Sequence, residues 1–119
     1  MMRRFLALIS AVVVWVVAGR TQPAARGREL FERRCTGCHA LDRDKEGPRL
    51  AGVYGRVSGS APSFHYSDAL QNAHITWDAE SLDKWLTDPQ GLVPDNDMAF
   101  HVESAAERSE IIAYLKQTR

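Results

Sequence analysis

Cys35-Thr36-Gly37-Cys38-His39 holds both cysteines of this 119-residue chain. Two residues separate the cysteines, and a histidine follows the second one directly. This spacing is typical of covalent attachment of a c-type haem, in which both thiols add to the vinyl groups and the imidazole takes one axial position on the iron. A protein joined to a redox cofactor in this way most often transfers electrons.

The same cysteine pair is compatible with a thioredoxin-like dithiol, with half of a zinc site or with a structural disulfide. A thioredoxin-like motif lies beside alternating strands and helices, but residues 20–119 show no run of alternating β-branched residues. A tetrahedral zinc site needs four protein ligands, and outside the pentapeptide only His65, His74 and His101 are scattered along the chain. Haem attachment is therefore the interpretation that we favour.

The N-terminal residues read as an export signal. Two arginines precede an apolar run of 14 residues at 5–18 that only Ser10 interrupts. This run is short for a membrane-spanning helix, which needs about 20 residues. We expect residues 1–18 to be a signal peptide, 19–25 to lead into the domain and 26–119 to form it, which places the protein in the periplasm. The alternative is an uncleaved anchor that tethers the protein to the membrane.

Charge excludes one class of partner. Fifteen basic and fifteen acidic side chains give a formal net charge of zero, and no basic tract is present that would attract nucleic acid. Removal of a signal peptide would take Arg3 and Arg4 with it and leave the rest slightly acidic. We expect a monomer of one domain that interacts with redox proteins rather than with nucleic acid.

A haem iron held by one histidine needs a second axial ligand or leaves a position open. A polar, turn-rich stretch supplies Met98, which has no apolar pattern to join there. His101, three residues further on, is the alternative ligand. Ligation by histidine and methionine raises the reduction potential relative to two histidines. We interpret His39 and Met98 as the axial ligands and His65 and His74 as solvated side chains.

Two segments with helix signals flank the pentapeptide and the middle of the chain. The first, at 26–34, leads into the pentapeptide. The second, at 78–87, should direct three apolar side chains inward and end at Pro89. Those side chains are Leu82, Trp85 and Leu86.

The clearest helix signal lies near the C-terminus. Ser104 followed by Glu107 has the form of a capping box, and apolar residues follow at helical spacing. A further short turn of helix is expected at 67–72. Residues 42–63 are rich in glycine, proline, serine and charge, which predicts a loop.

Further motifs follow the pentapeptide along the chain. They are Gly47-Pro48-Arg49-Leu50-Ala51-Gly52-Val53-Tyr54-Gly55-Arg56; Phe64-His65-Tyr66-Ser67-Asp68-Ala69; Trp77; Leu82-Asp83-Lys84-Trp85-Leu86-Thr87-Asp88-Pro89; Met98-Ala99-Phe100; and Ile111-Ile112-Ala113-Tyr114-Leu115. In order and spacing this series resembles the class I, mitochondrial-like cytochromes c over residues 26–119. The resemblance implies a small all-α fold in which three main helices and a short one surround the haem.

The resemblance also implies roles for side chains around the haem. The carbonyl of Pro48 would accept a hydrogen bond from His39, which orients the ring and raises its basicity. Tyr66 and Trp77 would donate to a buried haem propionate, and Arg56 would balance its charge, because an unpaired buried carboxylate is costly. Without the resemblance, Tyr66 and Trp77 read simply as core aromatic residues.

The resemblance also predicts how the first and last helices meet. Gly27 and Phe31 would face Tyr114 at the point where the two helices cross. The missing side chain at Gly27 would let the two backbones approach closely. This contact is structural rather than functional.

The chain departs from the family pattern around the methionine. Mitochondrial members surround the exposed haem edge with lysines, but here the matching positions are Gln90, Gly91 and Asp97. A strongly acidic docking patch on the partner is therefore not expected, since steering needs opposite charges. Trp85 stands where the family commonly has a tyrosine that bonds the methionine sulfur. Asn96 takes a position often held by threonine and can still donate to a propionate.

Three functions of different classes follow from these residues. The first is one-electron transfer between redox partners outside the cytoplasm, with no enzymatic step. The second is a dedicated electron-accepting subunit of an exported dehydrogenase. The third is a haem enzyme or sensor with an open sixth position, against which Met98 argues. We favour the electron carrier.

Overall fold

The computed structural model describes residues 22–119. Five helices follow one another along this part of the chain: α1 at Pro23–Arg34, α2 at Asp68–Gln71, α3 at Ala79–Thr87, α4 at Pro89–Leu92 and α5 at Ala105–Gln117. No strand occurs among these residues, and Val57 and Thr76 form an isolated antiparallel bridge. The all-α fold is confirmed, with one short helix more than predicted. The predicted signal peptide lies outside the described residues.

Helices α1 and α5 pack against each other as the sequence predicts. A Cβ at Gly27 would overlap the carbonyl group of Glu110 on α5, so only glycine permits this approach of the two backbones. Beside it, the rings of Phe31 and Tyr114 lie 5.5 Å apart between centroids. Leu30 is fully buried in the same contact region of the core. The helix pair thus forms the base from which the pentapeptide emerges.

The start of α1 differs from the prediction by three residues. The helix begins at Pro23 rather than Arg26. Proline suits the first turn of a helix because its φ is already fixed and its missing N–H would have no partner there. Part of the segment that we expected to lead into the domain is therefore already helical.

The caps of α3 and α5 explain where these helices begin. Asp78 and Ser81 form a reciprocal capping box at α3, with the Ser81 N–H 2.9 Å from Asp78 Oδ1. At α5 only half of the predicted box forms. Ser104 accepts from the Glu107 N–H at 3.3 Å, while the Glu107 carboxylate pairs with Arg34 of α1 at 3.0 Å. The side chain that the sequence assigns to a local cap instead links two helices.

Pro89 does not simply end α3. Helix α3 stops at Thr87, and Pro89 is the first residue of α4, a single turn that the sequence analysis missed. Asp88 lies between the two helices and accepts a hydrogen bond from the Gly91 N–H at 3.0 Å. The proline therefore redirects the chain into a second turn. This turn leads directly into the segment that carries Met98.

The remaining connections are loops stabilised by turns. The predicted loop at 42–63 is confirmed, since it contains no helix. Within it Gly59 has φ of +68°, and a Cβ there would contact the backbone of Gln71. No helix within residues 22–119 combines the length and the apolar character needed to cross a membrane.

Candidate haem site

The pentapeptide forms a tight turn directly after α1. Cys35 is the C-cap of the helix and donates its N–H to the Phe31 carbonyl at 2.9 Å. The N–H groups of Cys38 and His39 both point back to the Cys35 carbonyl, at 3.2 and 2.8 Å. Residues three and four apart in such a turn lie on the same side. The turn therefore brings the two thiols and the imidazole to one side of the chain.

His39 is oriented by the residues that follow the turn. Its Nδ1 lies 2.8 Å from the Pro48 carbonyl oxygen. Because a carbonyl only accepts, Nδ1 carries the proton and Nε2 keeps its lone pair. Gly47 lies against the ring, where a Cβ would overlap the imidazole. Its own N–H binds the Cys38 carbonyl at 2.8 Å.

The protonation of these groups suits ligation more than dithiol chemistry. Burial lowers the pKa of His39, and the nearby Lys45 acts in the same direction, against the hydrogen bond to Pro48. The imidazole is therefore neutral near pH 7. Burial raises the pKa of Cys35 to about 11. A dithiol redox centre needs a lowered thiol pKa, so the thioredoxin-like interpretation loses support.

A structural disulfide and a zinc site gain no support from this geometry. Both cysteines are free thiols, so they form no disulfide here. Across residues 22–119, no three side chains of the types that bind zinc gather closely enough to hold a metal ion. The residues present instead fit a haem. Two free thiols and a histidine with an available Nε2 lone pair lie in one turn beside an apolar core.

Met98 packs half-buried against the same hydrophobic core that Cys35 contacts. That core includes Trp77 and Trp85, whose rings lie 5.3 Å apart between centroids. His101, the alternative ligand, is exposed. The fold thus brings the pentapeptide and Met98 to one core.

Two of the side chains expected around the propionates, Tyr66 and Arg56, form hydrogen bonds with the protein backbone. Tyr66 is buried, and its hydroxyl oxygen accepts the Ala61 N–H at 3.1 Å, which leaves its own O–H available to donate. The Arg56 guanidinium donates to the carbonyls of Arg49 and Ala51, at 2.9 and 2.7 Å. It therefore helps to shape the loop after Pro48.

The amide group of Asn96 contacts the backbone of its own loop. Its Nδ2 donates to the Val93 carbonyl at 2.8 Å, and its Oδ1 accepts the Met98 N–H at 2.7 Å. The resemblance implies that this side chain can donate to a propionate, and the second N–H of Nδ2 is not used by these contacts. The structure adds a contact to the backbone of the methionine.

The contacts of two residues that hold the segment around Met98 and Val102 were not predicted from the sequence. Gln90 of α4 donates from Nε2 to the Asn96 carbonyl at 2.8 Å, and nothing in the sequence signals this contact. Arg108 of α5 is buried and donates to Asp83 at 2.7 Å and to the Val102 carbonyl at 2.9 Å. A signal for Arg108 was present, because it occupies the helical stripe that continues through Ile111.

Comparison with known proteins places this geometry in a family. The family model described as Cytochrome c matches residues 24–119. Cytochrome c of Euglena viridis is 46% identical over 96 residues, which cover 78% of this chain and 94% of the relative. Cytochrome c2 of Blastochloris viridis is 35% identical over 120 aligned residues and covers 98% of this chain and 94% of its own length.

A solved structure agrees with these relatives. Cytochrome cH from Methylobacterium extorquens superposes with a TM-score of 0.75 at 39% identity, over 78% of this chain and 96% of that protein. Both cysteines and the histidine lie within the matched residues. The chain therefore belongs to the cytochrome c family and carries one covalently attached c-type haem.

Proposed function

We propose that this protein is a one-electron carrier outside the cytoplasm, in which His39 and Met98 ligate the haem iron. The haem supplies the reversible ferric–ferrous couple when bound. The protein residues hold it through Cys35 and Cys38, orient the axial groups and exclude water. No side chain has to make or break a bond, so no enzymatic activity is required.

The hydrogen bond from His39 Nδ1 to the Pro48 carbonyl is the observation that carries this proposal. It fixes the ring and leaves Nε2 as the ligand atom, and it increases the basicity of the imidazole. Met98 is supported by its half-buried position against the core, whereas His101 is exposed. A thioether in the second position suits a carrier between partners of positive potential.

The aromatic and polar residues have supporting roles in this proposal. Tyr66 keeps a free O–H for a propionate, and the Trp77 indole N–H serves as a second donor. Trp85 packs against Trp77 and closes the core beside the haem. Arg56 holds the loop after Pro48 and places positive charge near the propionates.

The proposed location and partners follow from the sequence. The basic and apolar N-terminal residues support export to the periplasm, and the alignment with cytochrome c2 of Blastochloris viridis extends over 98% of the chain. Exported redox proteins are the proposed partners, and the protein acts as a monomer. The absence of lysines at Gln90, Gly91 and Asp97 favours partners without a strongly acidic docking patch.

The test uses protein exported from a host that matures c-type cytochromes. Its mass should equal the chain from about Gly19 plus one haem, and its ferric form should show the weak red absorption band of thioether ligation. Met98→Ala should abolish that band and lower the reduction potential, while the control His101→Ala should change neither. A wild-type protein without the band at neutral pH, or an unchanged Met98→Ala variant, would refute the axial assignment.

A further inference from the structure

The loop between α4 and Met98 is stabilised from inside by one buried amide. Asn96 is only 7% exposed. Its Oδ1 accepts the Met98 N–H at 2.7 Å, and its Nδ2 donates to the Val93 carbonyl at 2.8 Å. Both ends of the amide therefore bind the main chain of the same loop. The contact to Met98 has the form of an Asx turn, in which a side-chain oxygen replaces a backbone acceptor two residues earlier.

A second amide holds this loop to α4. Gln90 Nε2 donates to the Asn96 carbonyl at 2.8 Å, and its Oε1 accepts the Asp95 N–H at 3.2 Å. Asp95 has φ of +68°, a left-handed conformation that aspartate tolerates better than most residues. The two contacts from Gln90 lie on either side of the peptide bond that joins Asp95 to Asn96. They hold this turn against the helix.

The position of the backbone at residue 98 matters because of the chemistry of methionine. The side chain has three rotatable bonds, and its sulfur is a neutral, weak acceptor. Any freedom of the loop would have to be lost each time the thioether binds the iron. A loop that is already ordered removes this entropic cost before ligation.

We propose that Asn96 is a positioning residue for Met98, and that Gln90 supports it through the Asn96 carbonyl. This inference rests on the proposed role of Met98 as an axial ligand. It goes beyond the role that the resemblance implies for Asn96, which is donation to a propionate. Asn96 acts on the iron only through the methionine, by keeping the ligand loop closed.

Competition with imidazole tests this role on the ferric holoprotein. Added imidazole binds only after Met98 has left, so its apparent affinity reports how easily the loop opens. Asn96→Ala removes the hydrogen bond to the Met98 N–H and leaves the Val93 carbonyl with only the longer hydrogen bond from the backbone N–H of residue 96, at 3.4 Å. We expect the apparent imidazole affinity to rise about tenfold in Asn96→Ala and about threefold in Gln90→Ala.

Two further variants control this experiment. Asn96→Ser keeps a short side-chain oxygen that can accept the Met98 N–H and should restore at least half of the wild-type resistance to imidazole. Asn72→Ala changes an exposed asparagine next to α2 and should leave the affinity unchanged. If the role of Asn96 were purely structural, Asn96→Ala would have a lower urea midpoint than wild type but the same affinity for imidazole.

The outcomes separate this inference from the proposed function. If the wild-type protein lacks the thioether band, the Met98 assignment itself is wrong. If the band is present and Asn96→Ala binds imidazole within twofold of wild type, the positioning role is refuted. Should Asn96→Ala fail to fold, Gln90→Ala decides, because Gln90 is exposed. An unchanged affinity in that variant refutes the proposal equally.

Discussion

The two proposed axial ligands are held by different kinds of contact. His39 lies in the turn that carries both cysteines, and its orienting partner, the Pro48 carbonyl, is only nine residues away. Met98 lies far along the chain, in a loop held by the side chains of Asn96 and Gln90. The histidine side of the site is therefore local, whereas the methionine side combines short-range contacts of this kind with hydrogen bonds between helices.

The loop of Met98 is anchored again on its far side. The Val102 N–H binds the Leu86 carbonyl of α3 at 2.7 Å, and Arg108 of α5 donates to the Val102 carbonyl. Segments held by a few such contacts open more readily than segments within a packed core. The methionine should therefore be the more easily displaced ligand. Substitutions near His39 and near the loop of Met98 should show how strongly each ligand depends on its own contacts.

The largest effect is expected from Arg108→Ala, on the methionine side. Arg108 donates to Asp83 and to the carbonyls of Val102 and Glu103, at 2.7, 2.9 and 2.8 Å. Its removal leaves partly buried acceptors without partners. We expect the free energy of unfolding to fall by roughly 3 kcal/mol, as measured by urea denaturation of the holoprotein.

The matched control is Arg33→Ala, which changes an exposed arginine on α1 and should alter stability by less than about 0.5 kcal/mol. Arg108→Lys keeps the charge but cannot reach all three acceptors, so its stability should lie between wild type and Arg108→Ala. Equal stabilities of Arg108→Ala and Arg33→Ala would show that the methionine side does not depend on this anchor.

A smaller effect is expected from Gly47→Ala, on the histidine side. The added Cβ would overlap the His39 ring, so the ring or the loop at Pro48 must shift. Overpacking of this kind lowers the free energy of unfolding by about 2 kcal/mol. The NMR signal of the His39 Nδ1 proton in the reduced protein should also move, because its hydrogen bond to Pro48 is distorted.

Gly37→Ala is the control for this substitution. Gly37 lies in the pentapeptide itself, two residues before His39, and a Cβ there would meet nothing within 4 Å. Its stability and its His39 signal should remain those of wild type. If Gly47→Ala behaves like Gly37→Ala, the close packing of residue 47 against the imidazole does not orient the ligand.

The smallest effect concerns pH and the loop beside Pro48. Asp44 accepts from the Ser63 hydroxyl at 2.6 Å and from the Arg49 N–H at 3.0 Å, and these hydrogen bonds lower its pKa. The pKa of Asp44 in the folded protein thus lies below its ordinary value of 3.8. These hydrogen bonds stabilise the fold fully when the pH is above 3.8, and this stabilisation is lost as the pH falls through the pKa of the folded state. Asp44→Asn should therefore weaken the acid dependence of the melting temperature below about pH 4. If the melting temperatures of wild type and Asp44→Asn fall identically with pH, Asp44 does not have this role.

Local patterns predicted most of the helical fold. The apolar stripe of α3 and the caps at Asp78 and Ser104 are short-range signals, so their helices lie close to where the sequence places them. The predicted end of α3 before Pro89 is confirmed, but α4 was not predicted, because the same proline can both end one helix and begin another. Glu107 was assigned to a cap, but a partner on α1 competed for its carboxylate. Local rules do not include such distant partners.

The candidate haem site also has a part that the sequence predicts and a part that it does not. The haem attachment motif and the ligand His39 can be identified from the sequence alone, because covalent attachment requires these residue types at a spacing within one turn. It also singled out Pro48, whose carbonyl lies within hydrogen-bonding distance of the His39 ring. The hydrogen bonds by which Asn96 and Gln90 hold the loop of Met98, and by which Arg108 anchors Val102, became visible only in the folded structure. The hydrogen bonds of Arg108 depend on where α3 and α5 pack, and those of Asn96 and Gln90 depend on the turn at Asp95. The sequence does not show which backbone group a side-chain amide or guanidinium will bind.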